Sequence, residues 1–188
     1  RLLGFPDEIL RDPYYRYTFK NPQTNATLKL DMLNENFEVR YPFEADPFFI
    51  GQASPSPQRA LEAVQDFLGR GNSWPDDIDE TKTQNLFFKY DQEKRELVAV
   101  PSLSEAEVIK INLFRADLDE LPLLPPNPQD SNISFFVAQK EGKPVIIAGR
   151  YIHFPIHQEQ VATYPLKNST IAWEELKAGK AFIGNLGN

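Results

Sequence analysis

Residues 54–71 read SPSPQRALEAVQDFLGRG, and this stretch decides the fold. It carries both marks of a bounded helix. Ser56 can accept from the free N–H groups of a first turn, and Pro57 suits the first helical position, where no donor is required. Gly69 and Gly71 are the residues expected to turn left-handed and stop the helix. Between these marks Ala60, Leu61, Val64, Phe67 and Leu68 form one apolar stripe at helical spacing. Arg59, Glu62, Gln65 and Asp66 mostly take the other side. A helix of about a dozen residues is marginal alone in water, so the stripe needs a surface to cover. Fully burying Phe67 and Leu68 contributes roughly 1.5–3 kcal/mol each.

The surface comes from the flanking sequence, which reads as strand. Upstream, Tyr15, Tyr17 and Phe19 alternate with polar residues, then Leu28, Leu30 and Met32, then Phe37, Val39 and Tyr41. A period of two repeated three times predicts an antiparallel meander with one wet face, ended by Pro42 and Pro47. The lead-in RLLGFPDEILRDP is irregular, with one helical turn expected at Asp7–Leu10. Downstream of the helix, Asn72–Thr83 is a polar loop. Gln84–Asp91 and Glu96–Val100 form a hairpin around Gln92–Arg95. Ser102 and Glu105 stand in capping-box spacing for a single helical turn. Ile109, Ile111 and Leu113 alternate into another strand. Leu121–Pro128, LPLLPPNP, is too rich in proline for a sheet interior and is expected to cross over. Ile133–Gln139 and Pro144–Ile152 make a second hairpin turning at Glu141-Gly142-Lys143. Val161–Leu166 is a further strand. Thr170–Ala178 is a second short helix stopped by Gly179, with a strand opening at Ala181–Ile183.

The fold class expected is therefore α+β, a mainly antiparallel sheet covered by two short helices. Three parts are expected: an N-terminal meander lobe over 1–53, a helix-plus-hairpins core over 54–168, and a second helix-strand unit beginning at 169 and cut short. A chain that opens on Arg1 and closes on FIGNLGN is expected to continue at both ends.

Composition narrows the function. The chain has 188 residues, 41% hydrophobic, with 14 Phe, 7 Tyr and 2 Trp, enough for a real core. A net charge of −7 argues against nucleic acid or an anionic membrane as main partner, since both attract a basic footprint. No run reaches the 18 or so apolar residues that span a bilayer. Cysteine is absent, which removes disulfides, thiolate catalysis and Cys-bound zinc.

The order of helix, Gly stop and two strands, SPQRALEAVQDFL followed by LFFKYD and ELVAV, resembles PepSY-like modules and the related YycH/YycI-type regulatory domains. AWEELKAGKAFI near the end is similar to the helix-plus-strand entry that recurs in them. The likeness covers about residues 54–115 and 161–183 and carries over no functional residue. It implies a domain held outside the bacterial cytoplasm by a membrane anchor, which binds and restrains partners instead of catalysing.

The residues that can carry chemistry give weak patterns. His153 and His157 are separated by Pro155, which excludes a helical i,i+4 metal pair, and on a strand they stand about 13 Å apart. Asp76, Asp77, Asp79 and Glu80 form the densest acidic cluster but lack the calcium-loop pattern, and read as a solvated loop. No GxSxG, SxxK or phosphate-binding glycine motif is present. Pro122–Pro125 matches PxxP, but inside an apolar crossover it reads as structure. Asn25, Asn132 and Asn168 open glycosylation sequons, which count only in a secreted glycoprotein. Phe48, Phe49 and Trp74 flank proline-rich loops, and are either core plugs or contacts for a partner.

The function expected is a non-catalytic extracytoplasmic domain that binds a protein or envelope partner, without cofactor or metal. The alternatives are a carbohydrate-active enzyme using the acidic loop 76–80 with Trp74, and a sensor whose ligand lies between sheet and helices.

Overall fold

The three alternating runs near the N-terminus pair in chain order, as a period of two with one wet face requires. The structure, a computed structural model, describes residues 10–11, 15–49, 51–125, 127, 130–156 and 167–180. Strands β1 (Leu10–Arg11), β2 (Arg16–Lys20), β3 (Thr27–Asp31) and β4 (Phe37–Arg40) form the antiparallel meander. Met32 ends outside β3 in an exposed turn. The helical turn expected at Asp7–Leu10 lies outside the described residues except for Leu10, which is in β1. The hairpin β5 (Gln84–Asp91) and β6 (Glu96–Val100) turns at 92–95, as expected. Between β6 and β7, the capping-box residues enclose a single 3-10 turn, Leu103–Glu105, where Ser102 Oγ donates to Glu105 Oε1 at 2.8 Å.

Strands β7 (Val108–Leu113), β8 (Ile133–Lys140) and β9 (Lys143–Tyr151) complete one sheet, ordered β1-β2-β3-β4-β9-β8-β7-β5-β6 and antiparallel throughout. Glu141 and Gly142 both have positive φ, 50° and 75°, the backbone of a tight hairpin turn between β8 and β9. The β4–β9 pairing joins meander and hairpins in a single sheet.

Register sorts the side chains by face. Tyr17, Leu30, Phe37, Tyr151, Ile133 and Leu113 stand opposite one another across six strands. One residue along, Thr18, Lys29, Glu38, Arg150, Ser134, Asn112 and Gln84 make a polar row on the other face. Helix α1 (Pro57–Arg70) lies over the apolar rows, where Ala60, Val64 and Leu68 are buried with Ile109, Ile111, Ile133, Phe135 and Tyr151. Leu61 and Phe67 pack beside them, half-buried.

Ser56 caps α1 by accepting from the Arg59 N–H at 3.4 Å, and Pro57 opens it. The stop differs from expectation. Gly69 is inside the helix, and Gly71 has a φ of −89°, while Asn72 is the left-handed residue at 53°. Asn tolerates that conformation, and the turn is closed by Asn72 and Ser73 N–H groups on the Gly69 and Leu68 carbonyls.

On the opposite face the segment after β4 supplies cover. Phe43 and Phe49 are buried against Val108, Ala138 and Ile147. Asp46 fastens this segment, accepting from Lys140 Nζ and Tyr41 Oη, each at 2.7 Å.

Two compact units divide the chain, Arg1–His153 and Phe154–Asn188. In the second, α2 (Ser169–Lys177) is capped by Asn168, whose Oδ1 accepts from Ile171 N–H at 2.8 Å, and ends before Gly179 at a φ of 67°. None of its residues is buried. The strands expected at 161–166 and 181–183 lie outside the described residues.

Candidate functional site

The acidic loop is solvated only in part: Asp76 and Glu80 are exposed, but Asp77 is drawn into an ion pair. Beyond β7 the chain continues to Arg115, which bridges Ile78, while Ala116 N–H donates to the Asp77 carbonyl at 2.7 Å and Asp79 N–H to that of Phe114 at 3.0 Å. This stitching sets Asp77 beside Arg115, whose side chain is only 6% exposed. Arg115 Nε and Nη2 both reach Asp77 Oδ2, at 2.7 and 2.6 Å. The other carboxylate oxygen lies 3.0 Å from His153 Nε2, just past β9. The His153 backbone N–H donates to Asn36 Oδ1 at 2.8 Å, and its ring tilts against Tyr151.

The electrostatics follow from burial and partners. Burial pushes the Asp77 carboxyl up, but the hydrogen bonds from Arg115 and His153 and their charges outweigh it, so its pKa lies below the usual Asp value. Burial pushes the Tyr151 phenol up, and the Asp77 charge adds to the effect. Both oxygens of Asp77 are engaged, so the group ties together the 76–80 loop, the end of β7 and the end of β9.

The other loop acids serve separate ends. Asp79 accepts from Thr81 N–H at 3.0 Å and caps a 3-10 turn, Glu80–Lys82. Glu80 accepts from Gln65 of α1 at 3.0 Å. Asp76 is exposed. Among the described residues no three His, Asp or Glu gather as a metal site. His157 lies outside the described residues.

The three aromatic candidates separate. Phe49 is buried in the second core cluster, and Trp74 packs half-buried against the first. Phe48 is 55% exposed, with Lys140 Nζ 5.3 Å from its ring centre. Of the sequons, Asn132 is buried and Asn168 caps α2, while Asn25 is exposed in the β2–β3 turn.

Three surface features were not evident from the residues. The outer edge of β6 pairs with no described strand, and Val98 on it is 38% exposed. Beside the last turn of α1, a hollow of about 140 Å³ is lined by Leu28, Leu30, Phe37, Phe67, Leu68, Arg70, Gly71 and Ser73. A larger, more open cleft of about 460 Å³ involves Lys82, Asp117, Phe114 and Leu124, with Lys82 and Asp117 already paired at 2.7 Å.

Fold and site together define an α+β domain built on one antiparallel sheet. No protein-family model, curated protein or solved structure matches the chain. No helix among the described residues is long and apolar enough to cross a membrane.

Proposed function

We propose that this chain is a non-catalytic partner-binding domain that accepts an extended segment of another protein along β6. The open β6 edge carries the reading. The described part of the far edge, β1, is two residues long. By contrast, β6 offers five residues, ELVAV, whose interior has no Lys, Pro or other charge to blunt it. Exposed edges of this kind gain a strand through backbone hydrogen bonds, with alternate side chains setting specificity. The Asp77–Arg115–His153 group supports the same reading, because its polar atoms are turned on one another. Ile171, Trp173 and Leu176, exposed on α2, add apolar surface in the second unit.

The resemblance to PepSY-like and YycH/YycI-type domains in the helix-hairpin order supports reading it as a membrane-anchored domain outside a bacterial cytoplasm. The net charge of −7 suits a protein partner better than nucleic acid.

Selection of a displayed peptide library against the protein tests the proposal. The expected winners are extended, β-branched peptides that protect the amides of residues 96–100 from hydrogen exchange and are lost on Val98→Pro. Winners that footprint elsewhere, or that bind Val98→Pro as well, overturn it.

A further inference from the structure

We propose that the hollow beside the last turn of α1 binds a small apolar carboxylate, with its acid on Arg70. The site is independent of the β6 edge and of any partner there.

The hollow follows from the sheet being wider than the helix. The apolar rows run from β7 across β8, β9 and β4 onto β3 and β2. Helix α1 packs on β7, β8 and β9. Leu28 and Leu30 of β3 therefore continue the apolar floor past the helix, half-exposed, and Phe37, Phe67 and Leu68 wall it. A volume of about 140 Å³ is the size of one aromatic ring or a short branched chain. An apolar cavity of about 150 Å³ in another protein stays dry and takes up benzene.

The rim decides the polarity of the ligand. Helix carbonyls at this end would favour a cation, but those that face the turn are occupied. Leu68 O accepts from Gly71 and Ser73 N–H, Gly69 O from Asn72 N–H, and Gly71 O from the Ser73 hydroxyl. Arg70 is the contrast. It is exposed, lines the hollow, and makes no side-chain hydrogen bond or ion pair with any described residue. A guanidinium offers paired N–H donors that match a carboxylate. Its full charge exceeds the half charge of the helix end. The overall charge of −7 acts weakly here, because at physiological salt its field is screened within about 8 Å. The combination of an apolar floor for one ring and a single free cation at the lip selects an arylalkanoic or branched aliphatic acid. An amine of the same shape is rejected.

Two sources present this chemistry, a free small acid and the C-terminal residue of a polypeptide. The experiment titrates the full chain, ¹⁵N-labelled, with phenylacetate, benzyl alcohol, phenethylamine and an acetylated pentapeptide ending in phenylalanine. Phenylacetate is expected to saturate with shifts confined to Leu28, Leu30 and residues 67–73, and to bind about tenfold more tightly than benzyl alcohol. Phenethylamine gives no saturable shift. Arg70→Gln removes the tenfold advantage and leaves benzyl alcohol unchanged, and Leu30→Trp fills the hollow and abolishes both. Tighter binding of the pentapeptide than of phenylacetate assigns the source to a chain terminus, and the reverse to a free acid. Equal binding of acid and alcohol, an unaltered affinity in Arg70→Gln, or shifts centred elsewhere overturns the proposal.

Discussion

At the scale of single residues, two positions show how neighbours set chemistry. A Cβ on Gly149 would run into the ring of Phe135, its partner across β8–β9, at Cδ1 and Cε1. Neither ring nor strand has room to give, because Phe135 is fully buried. Gly149→Ala is expected to destabilise by about 1–3 kcal/mol in urea unfolding, as overpacking does. The second position is Asp77. Its pKa is depressed in the folded chain, so the stability it contributes is complete above the unfolded value, near pH 4, and is lost as pH falls through the lower folded value. Urea midpoints from pH 7 to pH 2 are expected to fall less steeply below pH 4 in Asp77→Asn. The variant is also less stable at pH 7, because buried Arg115 then lacks its counter-charge. Among the described residues, the remaining acid slope is shared by Asp46, held down by Lys140 and Tyr41, Asp130, held down by Arg150, Asp31, held down by the Leu33 N–H, and Asp79, held down by Thr81.

At the scale of elements, α1 is the piece that covers the apolar rows and completes the larger of the two buried clusters. Leu68, in the last turn of the helix, is buried with Phe135 and Tyr151 in the same cluster. Leu68→Ala is expected to cost about 2–5 kcal/mol, read as a shift in denaturation midpoint, and Leu68→Asp to prevent folding. A cooperative melt unchanged by Leu68→Asp would refute the docking of the helix. The helix start was legible from Ser56 and Pro57 because caps act within one turn. Its end was not, because Asn72, not glycine, took the left-handed position. Strands β2 to β9 were equally legible, since alternation is a local property, whereas the two-residue β1 was not. The loop at 76–80 was misleading. Its charges suggested solvent, yet the bridge to Arg115 drew Asp77 into an ion pair.

At the scale of the whole molecule, residues 1–153 hold the sheet and α1 as one compact unit. Expressed alone, this portion is expected to melt cooperatively with its near-ultraviolet circular dichroism intact. Loss of cooperativity in that fragment would show that the remaining residues complete the fold. The same scale explains the two binding features. Both arise where the sheet outruns its cover, at β6 on the edge and at β3 beside the helix.

The sequence alone specified the fold class and most of the elements with their faces, because side-chain period, caps and turn residues act over a few positions. Tertiary structure alone decided the rest. The β4–β9 pairing merged the meander with the hairpins. Contacts spanning 38 and 76 residues assembled Asp77 with Arg115 and His153. The hollow at Arg70 exists because a helix of 14 residues meets a nine-stranded sheet. No local pattern encodes such distances, since each depends on which surfaces remain to be buried once the elements have formed.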